Sequence, residues 1–165
     1  MTPEILIQRL TTTKEFLDRA TSALTEEDSA FKPDDDAFTV AQQMAHIGMV
    51  IDWFIEGGFG EGFTLNEEGT IPGHQEALQE VTSLESARAL CTKNFDSAIK
   101  TIASKTPEDL FEMMADNAVM GVAPRMAIID ALEDHTAHHR GSLSVYTRML
   151  GKVPPMPYMD VPVEA

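Results

Sequence analysis

Apolar residues recur along most of the chain at intervals of three and four, the spacing of one face of an α-helix. A first helix opens at Thr2 and Pro3, a capping residue followed by a proline that needs no N–H at the first helical position. Leu6, Leu10, Leu17 and Leu24 mark its inner face, and the turn-rich "SAFKPDDDAF" ends it. A second helix starts at "TVAQ", where Thr39 and Gln42 have the spacing of a capping box. Val40, Met44, Ile47, Ile51 and Phe54 form its stripe, and Gly57 and Gly58 are expected to stop it. A third helix fits Ser83 to Ala103, with Leu84, Ala87, Cys91, Phe95, Ala98 and Ile102 in line. The fourth is expected from Pro124 to Leu150, closed by Gly151.

The intervening stretches carry no sustained period. Residues 57–82 are glycine-rich and read as a long connection in which His74 is solvated, and residues 104–123 read as a second one with a helical turn after Thr106. With no strand pattern and no internal repeat, the expected fold is all-α, a four-helix bundle with long crossover connections. Residues 1–152 make up the expected domain, and residues 153–165 a proline-rich tail that cannot extend the last helix.

Charge narrows the partners. Twenty-seven acidic against 12 basic residues give a net charge of −15, which disfavours nucleic acid and anionic membrane surfaces. A single cysteine, Cys91, excludes an internal disulfide. The amphipathic N-terminus and the lack of a membrane-length apolar run make a cytoplasmic protein the expectation.

The chemistry concentrates in "EDHTAHHRGSLSVYTRMLG", residues 133–151. Ile128, Leu132, His135, His139, Leu143, Tyr146 and Leu150 follow one another at helical steps, so His135 and His139 interrupt an inward-facing apolar seam. His138 points away from it. Imidazoles at i and i+4 can converge on one ion from successive turns. A third ligand must come from another helix, and His46, on a face shared with Val50 and Trp53, is the candidate. Three neutral imidazoles with an open position form a catalytic zinc pattern, although imidazole also suits nickel, iron and copper. Hydrogen-bonded core histidines are the plainer alternative.

"DHTAHHRGSLSVYTRMLGKVPP" resembles the C-terminal signature of the DinB-like (DinB/YfiT) superfamily, written H-x-x-x-H-R-G-Q, and "FTVAQQMAHIGMVIDWF" resembles its second helix. The resemblance implies a four-helix bundle, often a homodimer, holding a divalent metal, zinc or nickel first, through His46, His135 and His139. Ser142 stands where the signature has glutamine. Members of known activity include metal-dependent thiol transferases and hydrolases of small thiol compounds, so a small-molecule substrate is expected. A deprotonated thiol would suit transfer and a deprotonated water hydrolysis; the sequence does not choose. The alternative is a non-catalytic bundle whose metal is structural or serves ligand or partner binding.

Around this site the alternatives stay open. Arg140 could hold a substrate carboxylate, although an ion pair with Glu133 is favoured. Asp134 and Asp130 could orient ligand imidazoles or simply be solvated. Trp53 and Tyr146 could line a pocket mouth, with packing the better expectation. No general base stands out. "GGFGEGF" lacks a P-loop lysine, "DDD" at residues 34–36 lacks calcium-loop spacing, and Cys91 reads as a small core residue.

Overall fold

The computed structural model describes residues 1–159. Four long helices form a bundle: α1 (Pro3–Ala20), α2 (Val40–Phe59), α4 (Leu84–Ala103) and α6 (Ala127–Met149). Two short helices, α3 (His74–Gln79) and α5 (Pro107–Phe111), lie in the connections before α4 and α6. Helix α2 packs on α4 and α6, and α1 packs on the same two. Consecutive long helices α1 and α2 therefore sit across the bundle's diagonal, as do α4 and α6, and the links between them must cross an end of the bundle. None of the described helices is long and apolar enough to cross a membrane.

The expected stripes form the core. Leu6, Leu10, Leu17, Val40, Ile47, Ile51, Phe95, Ala98, Ile102, Ile128 and Leu143 are fully buried. The capping box at the start of α2 is made on both sides: Gln42 N–H donates to Thr39 Oγ1 at 3.1 Å, and Thr39 N–H donates to Gln42 Oε1 at 3.0 Å. At the far end of α6, Gly151 takes φ +76°. Its N–H reaches Arg148 O at 2.9 Å while Lys152 N–H reaches Thr147 O at 3.0 Å, the paired bonds of a Schellman cap.

Several boundaries differ from the expectation. Helix α1 ends at Ala20, although Leu24 still reaches the core from the turn beyond it. Helix α2 does not stop at Gly57 but runs through both glycines to Phe59. A Cβ on Gly57 would come within 2.3 Å of the Phe63 ring, and one on Gly58 within 2.8 Å of Ile128 Cδ1. The glycines let neighbours approach the helix; they do not end it. Helix α6 begins at Ala127, later than Pro124. Its approach is held instead by Arg125 N–H to Glu112 O at 2.9 Å and Met126 N–H to Leu110 O at 3.0 Å, beside a bridge between Met113 and Pro124. Helix α3 lies in the stretch expected to be pure connection, where Leu78 anchors it in the core.

Candidate metal centre

The capping box fixes where α2 begins, and so where its second stripe points. Gln43, His46, Val50 and Trp53 follow at intervals of three and four beside the apolar stripe, on the side toward α6. Helix α6 brings its seam to meet them, with Ile128 and Leu132 above His135, and Leu143 and Tyr146 beyond His139. His46, His135 and His139 converge there, each offering a ring nitrogen, and these nitrogens all lie within 4.8 Å of one another. His46 Nε2 and His135 Nε2 are 3.1 Å apart. That is close to the separation of about 3.3 Å between nitrogens on a tetrahedral ion with bonds of about 2.05 Å. Ring centroids are separated by 5.0 Å for His46–His135, 4.5 Å for His46–His139 and 4.4 Å for His135–His139.

All three rings are partly buried. Burial, reinforced by repulsion from the neighbouring imidazoles His139, His135, His74 and His138, holds His46 down to about 3. His135 is lowered to about 4, by burial first and then by His138 and His74, with Asp134 acting in the opposite sense. His139 falls to about 3 through burial and then His135 and His138. At neutral pH the cluster therefore presents uncharged imidazoles, the form that ligates a metal. Three neutral nitrogen donors at this spacing fit a divalent metal cation. His135 Nδ1 is buried with no hydrogen-bond partner among the described residues.

Two residues outside the expected set complete the surroundings. Gln43 is buried, 5% exposed, and its side-chain amide abuts His139 Nδ1. The amide lies with its Nε2 toward Nδ1; turned over so that Oε1 faces the ring, it would accept from Nδ1–H and leave His139 Nε2 with the free lone pair. His74, at the start of α3, is not a solvated loop residue: it is partly buried and its Nε2 lies 2.6 Å from His46 Nδ1. Burial lowers its pKa as well. Phe38 packs on the His46 ring, with centroids 5.3 Å apart. Gln43 was legible as a neighbour of His46 on the same helical face, whereas His74 lies 28 residues beyond His46 in a stretch with no helical period.

The other sequence candidates stand apart from the triad. Arg140 does not pair with Glu133. Glu133 is taken by Arg9 of α1, which donates to it at 2.5 and 2.8 Å and to Asp130 at 2.6 Å. Arg140 instead lies over the rings of Phe16 and Tyr158, 5.7 and 5.6 Å from their centroids. Asp130 is thus committed to Arg9, and Asp134 is exposed on the outer side of α6 without a hydrogen bond to an imidazole among the described residues. Trp53 donates its indole N–H to Thr64 O at 3.1 Å and packs on Phe54 and Phe63. Tyr146 is buried edge-on to Phe31. His138 is exposed, its ring against that of His139, and Ser142 donates to the His138 carbonyl at 3.3 Å. Cys91 is buried, which pushes its thiol up to about 12, so it is no nucleophile at neutral pH.

An all-α bundle of four long helices with a three-histidine cluster that can hold a metal is the class defined by these features. The sequence matches the DinB family over residues 4–164, and the chain belongs to that family. Solved structures share the fold over nearly the whole chain. A DinB-like protein from Bacillus cereus ATCC 10987 is 22% identical with a TM-score of 0.71, the match covering 92% of this chain and 95% of that one. A DinB-like protein from Bacillus subtilis, YjoA, is 16% identical with a TM-score of 0.64 and coverages of 91% and 94%. YfiT from Bacillus subtilis, a probable metal-dependent hydrolase with an unusual four-helix bundle topology, is 14% identical with a TM-score of 0.65 and coverages of 91% and 88%. No curated protein matches the sequence.

Proposed function

We propose that this chain is a divalent-metal-dependent enzyme that transfers or hydrolyses at a small thiol or related small molecule. His46, His135 and His139 hold the metal, zinc or nickel. The observation that carries the reading is the convergence of three uncharged, partly buried imidazoles from two helices within 4.8 Å. A structural site would be expected to close its shell with a fourth protein ligand; among the described residues the converging group consists of the three histidines. A divalent cation at this point supplies Lewis acidity, which favours loss of a proton from a thiol or water near neutral pH. The chain's own part is to fix the rings. Gln43 holds His139 from behind, Phe38 packs on His46, and the apolar seam of α6 sets the pitch between His135 and His139.

A homodimer is part of the same proposal, taken from the family resemblance. The experiment is metal analysis of the purified protein beside His46→Ala and His139→Ala, followed by a screen of small thiol substrates. One equivalent of metal in the wild type, lost in both variants, supports the triad; stoichiometric metal retained in both refutes it. Turnover of a thiol substrate by the loaded wild type alone distinguishes the enzyme from a non-catalytic metal bundle.

A further inference from the structure

We infer that His74, on the crossover helix α3, is a positioning residue that accepts a hydrogen bond from His46 Nδ1–H and so aims the His46 Nε2 lone pair into the triad. This role presupposes the metal proposed above at His46, His135 and His139.

A neutral imidazole has one donor nitrogen and one acceptor nitrogen. His46 Nδ1 faces His74 Nε2 at 2.6 Å, and His46 Nε2 faces His135 Nε2 at 3.1 Å. The proton on His46 therefore settles both contacts. If His46 donates to His74, its Nε2 is bare and can ligate. If His74 donates instead, the proton of His46 lies on Nε2, inside the triad, and blocks ligation. Only the first arrangement is compatible with a metal site.

The chain of contacts has a second end. His135 Nδ1 is buried without a partner among the described residues. When His46 donates to His74, the metal-free contact between the two Nε2 atoms is completed by His135 Nε2–H donating to His46. His135 Nδ1 is then a bare nitrogen. Metal binding at His135 Nε2 would move that proton to Nδ1, so this end does not choose between the two directions. The His46–His74 contact is thus the one that sets the tautomer of His46. Outer partners of this kind orient ligand rings and raise their basicity, and their loss typically weakens metal affinity 10- to 100-fold.

The placement of His74 has a physical basis. Leu78, one turn further along α3, is buried in the core at 1% exposure, and α3 packs on α2. This anchor sets the first turn of α3 against His46, so the crossover carries a functional contact as well as a connection.

The test uses the full chain labelled with 15N, together with His74→Phe, which keeps a ring but removes the acceptor. His74→Gln is the conservative variant, since its amide oxygen reaches about where the imidazole Nε2 sits. In the metal-free wild type, imidazole 15N shifts should report His46 protonated at Nδ1 and bare at Nε2. His74→Phe should lose that preference and bind Zn2+ 10- to 100-fold more weakly, and His74→Gln should restore both. A wild-type His46 protonated at Nε2 overturns the inference, as does a His74→Phe variant with unchanged tautomer and unchanged Zn2+ affinity. Loss of a nitrogen donor from the Co2+ absorption spectrum of His74→Phe would make His74 a ligand and also overturn it. If the wild type takes up no metal, the proposed function fails by itself, while the 15N shifts still decide the direction of the His46–His74 bond.

Discussion

Acidifying the metal-free protein should destabilise it through the three site histidines, by an amount the structure allows to be worked out. Their folded pKa values of about 3, 4 and 3 lie below the ordinary histidine value of 6.5. Between those limits the unfolded chain binds protons that the folded chain refuses, so stability is greatest above pH 6.5 and falls as pH drops toward 4. At pH 5.5 each fully shielded histidine would cost about 1.4 kcal/mol, or about 4 kcal/mol for three. The rings are only partly buried, and solvent screening reduces the total to about 2 kcal/mol. Urea unfolding at pH 7.5 and pH 5.5 in the presence of a chelator measures the loss. A triple variant, His46→Gln, His135→Gln and His139→Gln, subtracts the contribution of all other groups. The wild type should lose about 2 kcal/mol more than the variant over this interval. Equal losses in the two proteins would refute the claim that the site rings are held neutral.

Three further outcomes follow from packing and charge. Gly57→Ala should destabilise by about 1–2 kcal/mol despite alanine's better helix propensity, because its methyl group meets the Phe63 ring; in a Phe63→Ala background the same change should become neutral or stabilising by thermal melt. A double-mutant cycle on Arg9 and Glu133 should give a coupling of about 0.5–1 kcal/mol that shrinks with added salt, since that pair joins α1 to α6 at a part-exposed position. Arg140→Ala should cost about 0.5–1 kcal/mol through lost contact with Phe16 and Tyr158 and leave metal content unchanged.

The bundle was legible because its long helices repeat their apolar residues over several turns. Thr39 and Gln42 marked the start of α2 by side-chain chemistry alone, and the seam of α6 carried His135 and His139 into the interior with it. His46 could be singled out because it was the histidine on a facing helix at a position flanking the core stripe. Short-range signals misled where tertiary contact decides. Gly57 and Gly58 have the composition of a helix stop, but their purpose is to admit Phe63 and Ile128, neighbours that sequence spacing does not reveal. Helix α3 has six residues, too few for a period to show, so His74 carried no mark of its contact with His46. The Arg140–Glu133 pairing failed for the same reason. Glu133 was claimed by Arg9, 124 residues away in the chain.

X-ray absorption at the metal edge of the loaded protein tests the central claim most directly. The account predicts about three nitrogen neighbours at about 2.0–2.1 Å with the outer-ring scattering of imidazole, collapsing to a disordered or oxygen-rich shell in His135→Ala. A shell containing sulfur, a shell dominated by carboxylate oxygen, or an imidazole shell unchanged in that variant would contradict it.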